Sequence, residues 1–225
     1  MTYTYFNRKP KSDFCTTHLF ALVHKPTWMM VCVPFSTITV DLSKEDFIID
    51  WSASTKTKIN KAAQETLAIE RGEAWLTHVL QLFMLTARRK RLRGYSVDDF
   101  AGFPDIEVSA TYKNGVLLCG HVWIVDRDEK RALLYVNATQ QAQDSEQASS
   151  IGRAHYYLLW KDSLMFQERG IKTIDLMGFH PETKDSNLKG VFQWKAGTHG
   201  IGENLYHYYP VWFYVLRKFR NMLSR

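Results

Sequence analysis

The chain has 225 residues, of which 45% are hydrophobic and 14% aromatic, and 29 basic against 23 acidic side chains give it a net charge of +6. This composition excludes a disordered or repetitive chain and indicates a packed globule with aromatic-lined clefts. The basic excess favours anionic partners such as phosphates, nucleotides, RNA or an acidic membrane face, without choosing among them. The three cysteines, Cys15, Cys32 and Cys119, lack metal-ligand spacing and indicate free thiols in a reducing compartment.

The N-terminal segment 1–14 is polar and is expected to be flexible. It lacks the apolar run of a signal peptide, and no stretch of the chain is long and apolar enough to span a bilayer. The sequence therefore predicts a cytoplasmic protein without an integral membrane segment.

The first half of the chain alternates between strand-like and helix-like patterns. Apolar, β-branched runs between His18 and Leu42 predict strands, and SASTKTKINKAAQETL predicts a helix that is basic on one side. A first long helix, EAWLTHVLQLFMLTARRKRL, ends in a second basic group. Both groups suit a phosphate-bearing substrate, and the alternative is a solvated helix face with cations at a helix C-terminus. The candidate substrate-binding residues here are Lys56, Lys58 and Lys61.

A β-meander is predicted over 105–138. Two β-rich runs flank Asn114–Gly115, a pair that suits the type I′ turn of a hairpin, and RALLYVNAT adds a third strand. The polar run QQAQDSEQAS then predicts a loop. A second long helix follows as far as Gly170, with Ser149 or Ser150 as its N-cap.

The junction between the third strand and this helix is a candidate anion site. Free backbone N–H groups and the helix dipole favour anions at a helix N-terminus. Gly152 would allow a ligand to approach closely, and Arg153 would add charge. A plain capped helix with a packing glycine is the competing interpretation. The candidate residues from this geometry are Gly152 and Arg153, and the family resemblance described below adds Ser150, Ile151 and Ala154.

The segment TIDLMGFHPETKD offers candidates for acid–base chemistry. Asp175 lies in an apolar strand, where a carboxylate needs a partner, and His180 and Glu182 follow that strand. A structural aspartate beside a surface loop is the alternative. His121 and His155 are isolated in the sequence and are expected to be structural. No metal is predicted, because no His, Cys, Asp or Glu positions have metal-ligand spacing.

Near the C-terminus, VFQWKAGTHG places Lys195 after aromatic residues and before two glycines. This pattern fits either an ordinary turn or the edge of a site for a negatively charged group. The last segment predicts a strand and then an amphipathic basic helix, for which closing the core is favoured over lying on a membrane surface. The elements together predict one α+β domain over 1–225.

The order of these motifs resembles the Fem-type (FemAB-like) aminoacyltransferases over roughly residues 36–205. The run STKTKINKAAQETLAIERGE resembles the family's basic helix and short strand, and the run from LLYVNAT to GFHPE resembles its strand–loop–helix–strand core. GVFQWKAGTHG resembles the family's Phe-Lys-x-Gly-Phe element, with Trp194, Lys195, Gly197 and Thr198 at its four defined positions.

The resemblance implies a GNAT-like domain, with a mixed, mostly antiparallel twisted sheet flanked by helices. GNAT proteins use acyl-CoA and bind its pyrophosphate through an Arg/Gln-x-x-Gly-x-Gly/Ala loop. The run from Ser149 to Ala154 keeps the Gly-x-Ala and loses the first Arg/Gln. Fem proteins use aminoacyl-tRNA instead.

The resemblance also implies roles for individual residues. Lys195 would stabilise the developing oxyanion or a phosphate, beside Trp194 in the substrate site. The base would be Asp175, His180 or Glu182, and Tyr206 would be the acid. The oxyanion would be bound by backbone N–H groups of Tyr135, Val136 and Asn137.

The resulting hypothesis is a bacterial N-acyltransferase that moves an acyl group, with acetyl-CoA as the expected donor, to an amine. The acceptor would be a sugar nucleotide, a polysaccharide precursor or an amino acid. The alternatives are an aminoacyl-tRNA-dependent Fem-type transferase, with tRNA as partner, and a non-catalytic GNAT-like module that binds a partner or RNA. Peripheral membrane contact is compatible with all three.

Overall fold

The computed structural model describes residues 2–5, 15–22, 24, 28–90, 92–103, 105–178 and 186–223. They belong to two compact units. The terminal unit comprises Met1–Thr37 and Gly202–Arg225, and the central unit comprises Ile38–Ile201. The prediction that 1–225 form one GNAT-like domain stays a prediction.

The central unit is built on a mixed sheet. Its strands are the end of β3 (Met30–Asp41), β4 (Ala68–Arg71), β5 (Ile106–Lys113), β6 (Val116–Asp126), β7 (Arg131–Thr139) and β8 (Thr173–Asp175), in the order β3–β8–β7–β6–β5–β4. β7 and β8 are parallel, and the other neighbouring pairs are antiparallel. The predicted hairpin is confirmed, since Asn114 and Gly115 have φ values of 52° and 78°, as a type I′ turn requires.

Four helices flank this sheet: α1 (Ala53–Ala63), α2 (Leu76–Lys90), α3 (Ser145–Glu168) and α4 (Ser186–Ala196). The Ser52 side chain caps α1 by accepting the Thr55 N–H. α3 begins earlier than the sequence predicts. Its N-cap is Asp144, which accepts the Gln147 N–H, because the polar run that suggested a loop also contains good helix formers.

The two faces of the sheet carry separate hydrophobic cores. Successive strand residues point to opposite faces, so Trp123 joins the core under α1 and α3, while Val122 joins the core under α2. The predicted α+β class, with a mostly antiparallel sheet flanked by helices, is confirmed.

The terminal unit contains β1 (Thr2–Tyr5), β2 (Thr16–Ala21), β9 (Ile201–Pro210) from its second residue onward, and α5 (Val211–Leu223). β1 pairs with β2 in parallel, and β2 pairs with β9 antiparallel. The expectation of a flexible N-terminus is therefore wrong for Thr2–Tyr5, because strand pairing orders this stretch, while residues 6–14 lie outside the described residues. Among the described residues, no helix combines the length and apolar character needed to cross a bilayer.

Candidate active site

The candidate site begins where β7 leaves its parallel neighbour. β8 pairs with β7 only over Arg131–Leu133, so in the described part of the chain the second half of β7 has no strand on that side. On the other side, Val122 of β6 pairs with Val136 and Trp123 with Leu134. Tyr135 is therefore an extra residue, a β-bulge in β7.

The bulge changes which face the following side chains occupy. Without it, alternate residues of β7 would all share one face. Instead, Ala132 and Leu134 belong to the core under α3, whereas Val136 and Ala138 belong to the core under α2. After the bulge, Asn137 therefore points to the face of the sheet that α3 covers.

A cavity of about 270 Å³ lies beside this end of β7. We call it the β7 cavity, and it is lined by Thr86, Lys90, Asn137, Thr139, His155, Gly190, Val191 and Trp194. Of the sequence candidates, Asn137 and Trp194 line it. Tyr135 packs instead among Tyr95, Phe100 and Phe103, and Val136 is buried in the adjoining core.

The inner wall of the β7 cavity is a stacked pair of rings. His155 of α3 and Trp194 of α4 lie parallel, with centroids 4.2 Å apart and an interplanar angle of 2°. His155 is 7% exposed, and its Nε2 has no hydrogen-bond partner among the described residues. Burial, and then the charge of His121, lower the pKa of His155 well below its ordinary value, so this ring is a neutral base at neutral pH.

Behind His155 lies a buried polar network centred on Asp162. The Asp162 carboxylate accepts hydrogen bonds from Arg71 at 2.6 Å, Ser109 at 2.7 Å and Trp123 at 3.0 Å, and His121 Nδ1 lies 2.8 Å away. Burial alone would raise the pKa of Asp162, but the hydrogen bond from His121 and the nearby positive charges lower it.

Because an ionised carboxylate only accepts, His121 donates through Nδ1 to Asp162. The His121 ring also lies 5.2 Å from the ring of His155. The network thus runs from Asp162 through His121 to the wall of the cavity. His121 and His155 are therefore not isolated from each other in the structure, although their positions in the sequence suggest that they are. The expectation that they are structural residues stays a prediction.

Lys195 lies behind the cavity wall. It is 6% exposed, it is not among the lining residues, and its Nζ donates to the carbonyl oxygens of Met177 and Gly178 at 2.6 and 2.7 Å. Burial lowers the pKa of Lys195 to about 8, against the opposing charge of Asp175. The interpretation of VFQWKAGTHG as an ordinary loop turn is wrong for Lys195, because this residue is helical and lies near the C-terminal end of α4.

Asp175 is fully buried at the end of β8. It pairs with Arg131 at 2.5 Å and accepts the Met177 N–H at 2.7 Å. This confirms that the carboxylate in the apolar strand has partners. Asp175 does not line the β7 cavity, and its role as a general base stays a prediction that its burial and ion pair do not favour.

Gly197, which holds the glycine position of the family's element, follows α4 in a tightly packed place. A Cβ there would lie 2.6 Å from Thr55 Oγ1 and 2.7 Å from the Tyr156 hydroxyl, so a larger residue does not fit. The Tyr156 hydroxyl donates to the Trp194 carbonyl at 3.0 Å. These contacts hold Trp194 against α3.

A second opening, the α1–α3 cleft, has a volume of about 550 Å³ and is lined by Ser54, Thr57, Lys58, Lys61, Ala148, Ser149, Gly152 and Arg153. It brings together two groups of sequence candidates. No atom lies within 4 Å of a Cβ built on Gly152, so this glycine faces open space and is not a packing glycine. Arg153 is paired with Glu65 at 2.5 Å, which leaves Lys58 and Lys61 as the exposed cations of the lining.

The predicted anion site at the start of α3 is wrong in position. Ser150, Ile151, Gly152, Arg153 and Ala154 are the sixth to tenth residues of α3. Their backbone N–H groups therefore point into the helix ladder and are unavailable to an anion. The true first turn carries Asp144 as its cap and the acidic Glu146.

The remaining candidates are scattered. Lys56 donates to the Ile49 carbonyl and does not line the cleft. Tyr206 belongs to the terminal unit, where its ring lies 4.9 Å from that of His24. His180 and Glu182 lie outside the described residues. In the part of the chain that the structure describes, no group of three or more potential ligands forms a metal site.

The sequence contains a weak indication of the buried network around Asp162. Asp162 sits among apolar positions of α3, seven residues after His155, so both belong to the buried face of one helix. A charged residue on the apolar face of a predicted helix requires a partner, and this could have drawn attention to Asp162.

Solved structures with the same fold include FemX, with a TM-score of 0.62 and 11% identity over 76% of this chain and 61% of FemX. The C-terminal domain of a putative lysylphosphatidylglycerol synthetase from Agrobacterium fabrum gives a TM-score of 0.53 and 15% identity, over 80% of this chain and 61% of that one. L-PGS from Bacillus licheniformis gives a TM-score of 0.51 and 12% identity, over 81% of this chain and 63% of that one. No family model and no curated protein matches the chain.

The chain thus spans less than two thirds of the length of these structures. At such identities the likeness establishes the fold and not the activity. The chain has the GNAT-like fold that its resemblance to the Fem-type acyltransferases predicts.

Proposed function

We propose that the central unit transfers an acyl group to an amine in the β7 cavity. The observation that carries this proposal is the bulge at Tyr135 beside a cavity walled by His155, which is buried and lacks a partner at Nε2. A bulge disrupts the strand ladder locally and is enriched next to active sites. It supports the expectation that backbone N–H groups of Tyr135–Asn137 serve as oxyanion donors.

Acyl transfer needs a proton acceptor and an oxyanion donor. In the proposed step, the amine nitrogen attacks the donor's carbonyl carbon, and the carbonyl oxygen becomes an oxyanion held by backbone N–H groups of β7. The amine loses its proton to His155 Nε2. The carbonyl then re-forms, the bond to the leaving group breaks, and the leaving group takes the proton from His155.

Asp162 and His121 support this role for His155. The ionised Asp162 holds the His121 ring through Nδ1, and His121 packs against His155, so the ring that faces the cavity is fixed from behind. Trp194 covers the other side of the His155 ring. A fixed ring needs no reorientation when the proton moves.

The α1–α3 cleft supplies a place for phosphates. Lys58 and Lys61 are exposed cations on one side of it, while Gly152 leaves the other side open. Either the donor or a phosphorylated acceptor, such as a sugar nucleotide or a polysaccharide precursor, suits these charges.

The start of α3 favours an aminoacyl-tRNA donor over acyl-CoA. The Asp144 carboxylate accepts the Gln147 N–H in the first turn, and Glu146 adds a second carboxylate, so a pyrophosphate at this helix N-terminus would meet two negative charges. Acyl-CoA is the second candidate, because Lys58 and Lys61 offer its phosphates another site. A non-catalytic binding module is the remaining alternative.

Thermal melting with candidate donors tests the donor class. The ligands are acetyl-CoA, longer acyl-CoAs, free CoA, and a non-hydrolysable aminoacyl-tRNA analogue with uncharged tRNA as its control. A ligand at about 100 times its Kd adds roughly 2.7 kcal/mol, which corresponds to a shift of roughly 5–10 °C. We expect a shift with the aminoacyl analogue that exceeds the shift with uncharged tRNA. A shift with acyl-CoA alone selects the second candidate, and no shift with any donor overturns acyl transfer.

The variant His155→Gln tests the chemistry. We expect kcat with the identified donor to fall by about 10²–10⁴-fold, because glutamine does not accept the amine proton. His78→Gln is the matched control, since His78 is an exposed histidine on α2. Because the pKa of His155 lies well below its ordinary value, protonation of His155 should not contribute to any fall of the wild-type rate between pH 8 and about 6.5, where protonation of the amine acceptor sets the pH dependence. An unchanged kcat in His155→Gln overturns the role of His155.

A further inference from the structure

The C-terminal helix α5 has its apolar side turned outward. Leu216 and Phe219 are each 59% exposed, and Met222 is 72% exposed. Trp212 and Val215 are also exposed, and counted from Trp212 the other four positions are the third, fourth, seventh and tenth along, which places all five on one face of a helix.

The opposite side of α5 attaches the helix to the terminal unit. The rings of Phe213 and Tyr214 lie 6.3 and 6.1 Å from the ring of the buried Tyr209, and the Arg217 guanidinium lies over the same ring at 5.0 Å. Most surface helices bury their apolar stripe and expose their polar one. The favoured expectation that α5 closes the core is therefore wrong for its outward face.

Positive charge borders this apolar face. Lys218 is exposed at the edge of this face, while the exposed Arg217 belongs to the side that packs on Tyr209, and α5 contains no Asp or Glu. A second exposed aromatic residue lies near the start of the helix. Trp28 is 80% exposed, and its neighbour Met29 accepts the Val211 N–H through its carbonyl oxygen. Tryptophan rings with adjacent cations are typical of segments that lie at a lipid–water boundary.

We propose that the outward face of α5 docks on the surface of an anionic lipid bilayer. The apolar side chains would enter the boundary between headgroups and acyl chains, while Lys218 at the edge of this face meets the anionic headgroups. The helix lies on the surface and does not cross it, because 13 residues span about 20 Å against a hydrocarbon core of about 30 Å.

The positive charge of α5 favours a lipid surface over a second copy of the chain as the partner of its outward face. Pairing two α5 helices through this face brings the same cations of both copies together, with no acidic side chain on either helix to offset them. An anionic bilayer offers apolar contact and the complementary charge at once. This inference is independent of the proposed acyl transfer.

Vesicle sedimentation tests the proposal. The full chain is mixed with vesicles of phosphatidylcholine alone and with vesicles of equal parts phosphatidylcholine and phosphatidylglycerol, each at low and at high salt. We expect binding to the anionic vesicles, weakened by salt, and at least about tenfold weaker binding to the neutral ones. Equal binding to both kinds of vesicle, or binding to neither, overturns the proposal.

A double variant, Leu216→Ser with Phe219→Ser, tests the apolar face. We expect its partition onto anionic vesicles to fall by about tenfold or more, because both side chains would otherwise leave water. The matched control is Ile49→Ser with Val116→Ser, which removes two exposed apolar side chains of the central unit. The control should bind as the wild type does.

Two further measurements show whether the double variant is still folded. Far-UV circular dichroism and the melting temperature should be unchanged in the double variant, since both side chains are exposed. If the variant keeps its fold and its vesicle binding, the proposal is wrong. If the wild type binds no vesicles but forms a dimer that the double variant loses, a second copy covers this face and the lipid proposal is overturned.

Discussion

Two aspartates of the central unit, Asp162 and Asp175, are completely buried, and their surroundings differ. Asp162 lies in the middle of α3 and binds side chains from β4, β5 and β6, the last of which includes His121 at the back of the cavity wall. Asp175 lies at the end of β8 and binds Arg131 and the Met177 N–H.

The difference teaches that burial and residue type do not reveal the role of a carboxylate. Asp162 belongs to a network that ends at an imidazole facing the β7 cavity. Asp175 belongs to a network that fixes the end of a strand, and the nearby Lys195 binds backbone carbonyls of the same segment. We therefore expect Asp162 to affect both stability and turnover, and Asp175 to affect stability alone.

The variant Asp162→Asn should have the largest effect. It leaves Arg71 beside a neutral amide and replaces one of the two acceptor oxygens of the network by an NH2 donor, which weakens the hold on His121, and breaking a buried ion pair in this way costs about 3–5 kcal/mol of unfolding free energy. Urea denaturation measures the loss. At temperatures where the variant is still folded, turnover should also fall, because the His121 ring behind His155 is no longer held.

Asp128→Asn is the control for this variant, since Asp128 lies in an exposed turn. Its stability should equal that of the wild type within about 0.5 kcal/mol. A loss below about 1 kcal/mol in Asp162→Asn would show that Asp162 is not the centre of the network.

The variant Asp175→Asn should have the second largest effect. It leaves the Arg131 guanidinium without its buried counter-ion, which costs about 3 kcal/mol. Turnover per folded molecule should be unchanged, because Asp175 does not line the β7 cavity. Active-site titration or single-turnover kinetics, with the folded fraction measured in parallel, separates the two quantities. A fall in turnover at full folded fraction would return Asp175 to the reaction and remove the contrast with Asp162.

Much of the fold follows from local sequence patterns. The hairpin at Asn114–Gly115, the meander and the C-terminal strand and helix depend on turn chemistry and periodicity, which act over a few residues. The start of α3 was misplaced because Asp144 and Ser149 are both acceptable caps, and only the structure shows which one the helix uses.

The candidate site could be predicted only in part. Trp194 and Asn137 follow from the family resemblance, Lys58 and Lys61 follow from the basic side of a predicted helix, and all four line openings. The network of Asp162 joins residues 39 to 91 positions apart in the sequence, which no local pattern can report. The bulge at Tyr135 is similarly invisible, since it is a property of the pairing between two strands.

The variant Lys195→Met should have the smallest effect at neutral pH. Two carbonyl oxygens lose the Lys195 ammonium, but the buried positive charge is removed as well, and these contributions oppose each other. At higher pH the unfolding free energies of the wild type and of Lys195→Met should differ. Burial lowers the pKa of Lys195 from 10.5 to about 8, so between these values the folded protein has released a proton that the unfolded chain still holds.

Because the unfolded chain then binds more protons, this lysine raises the unfolding free energy of the wild type as the pH increases from about 8 to about 10.5. Relative to Lys195→Met, the wild type should gain up to about 3 kcal/mol across this range. Denaturation of both proteins at several pH values measures the gain as a difference, in which the other titrating groups cancel. A difference that stays constant with pH would mean that Lys195 keeps its proton in the folded state, as a lysine bound to an anion would.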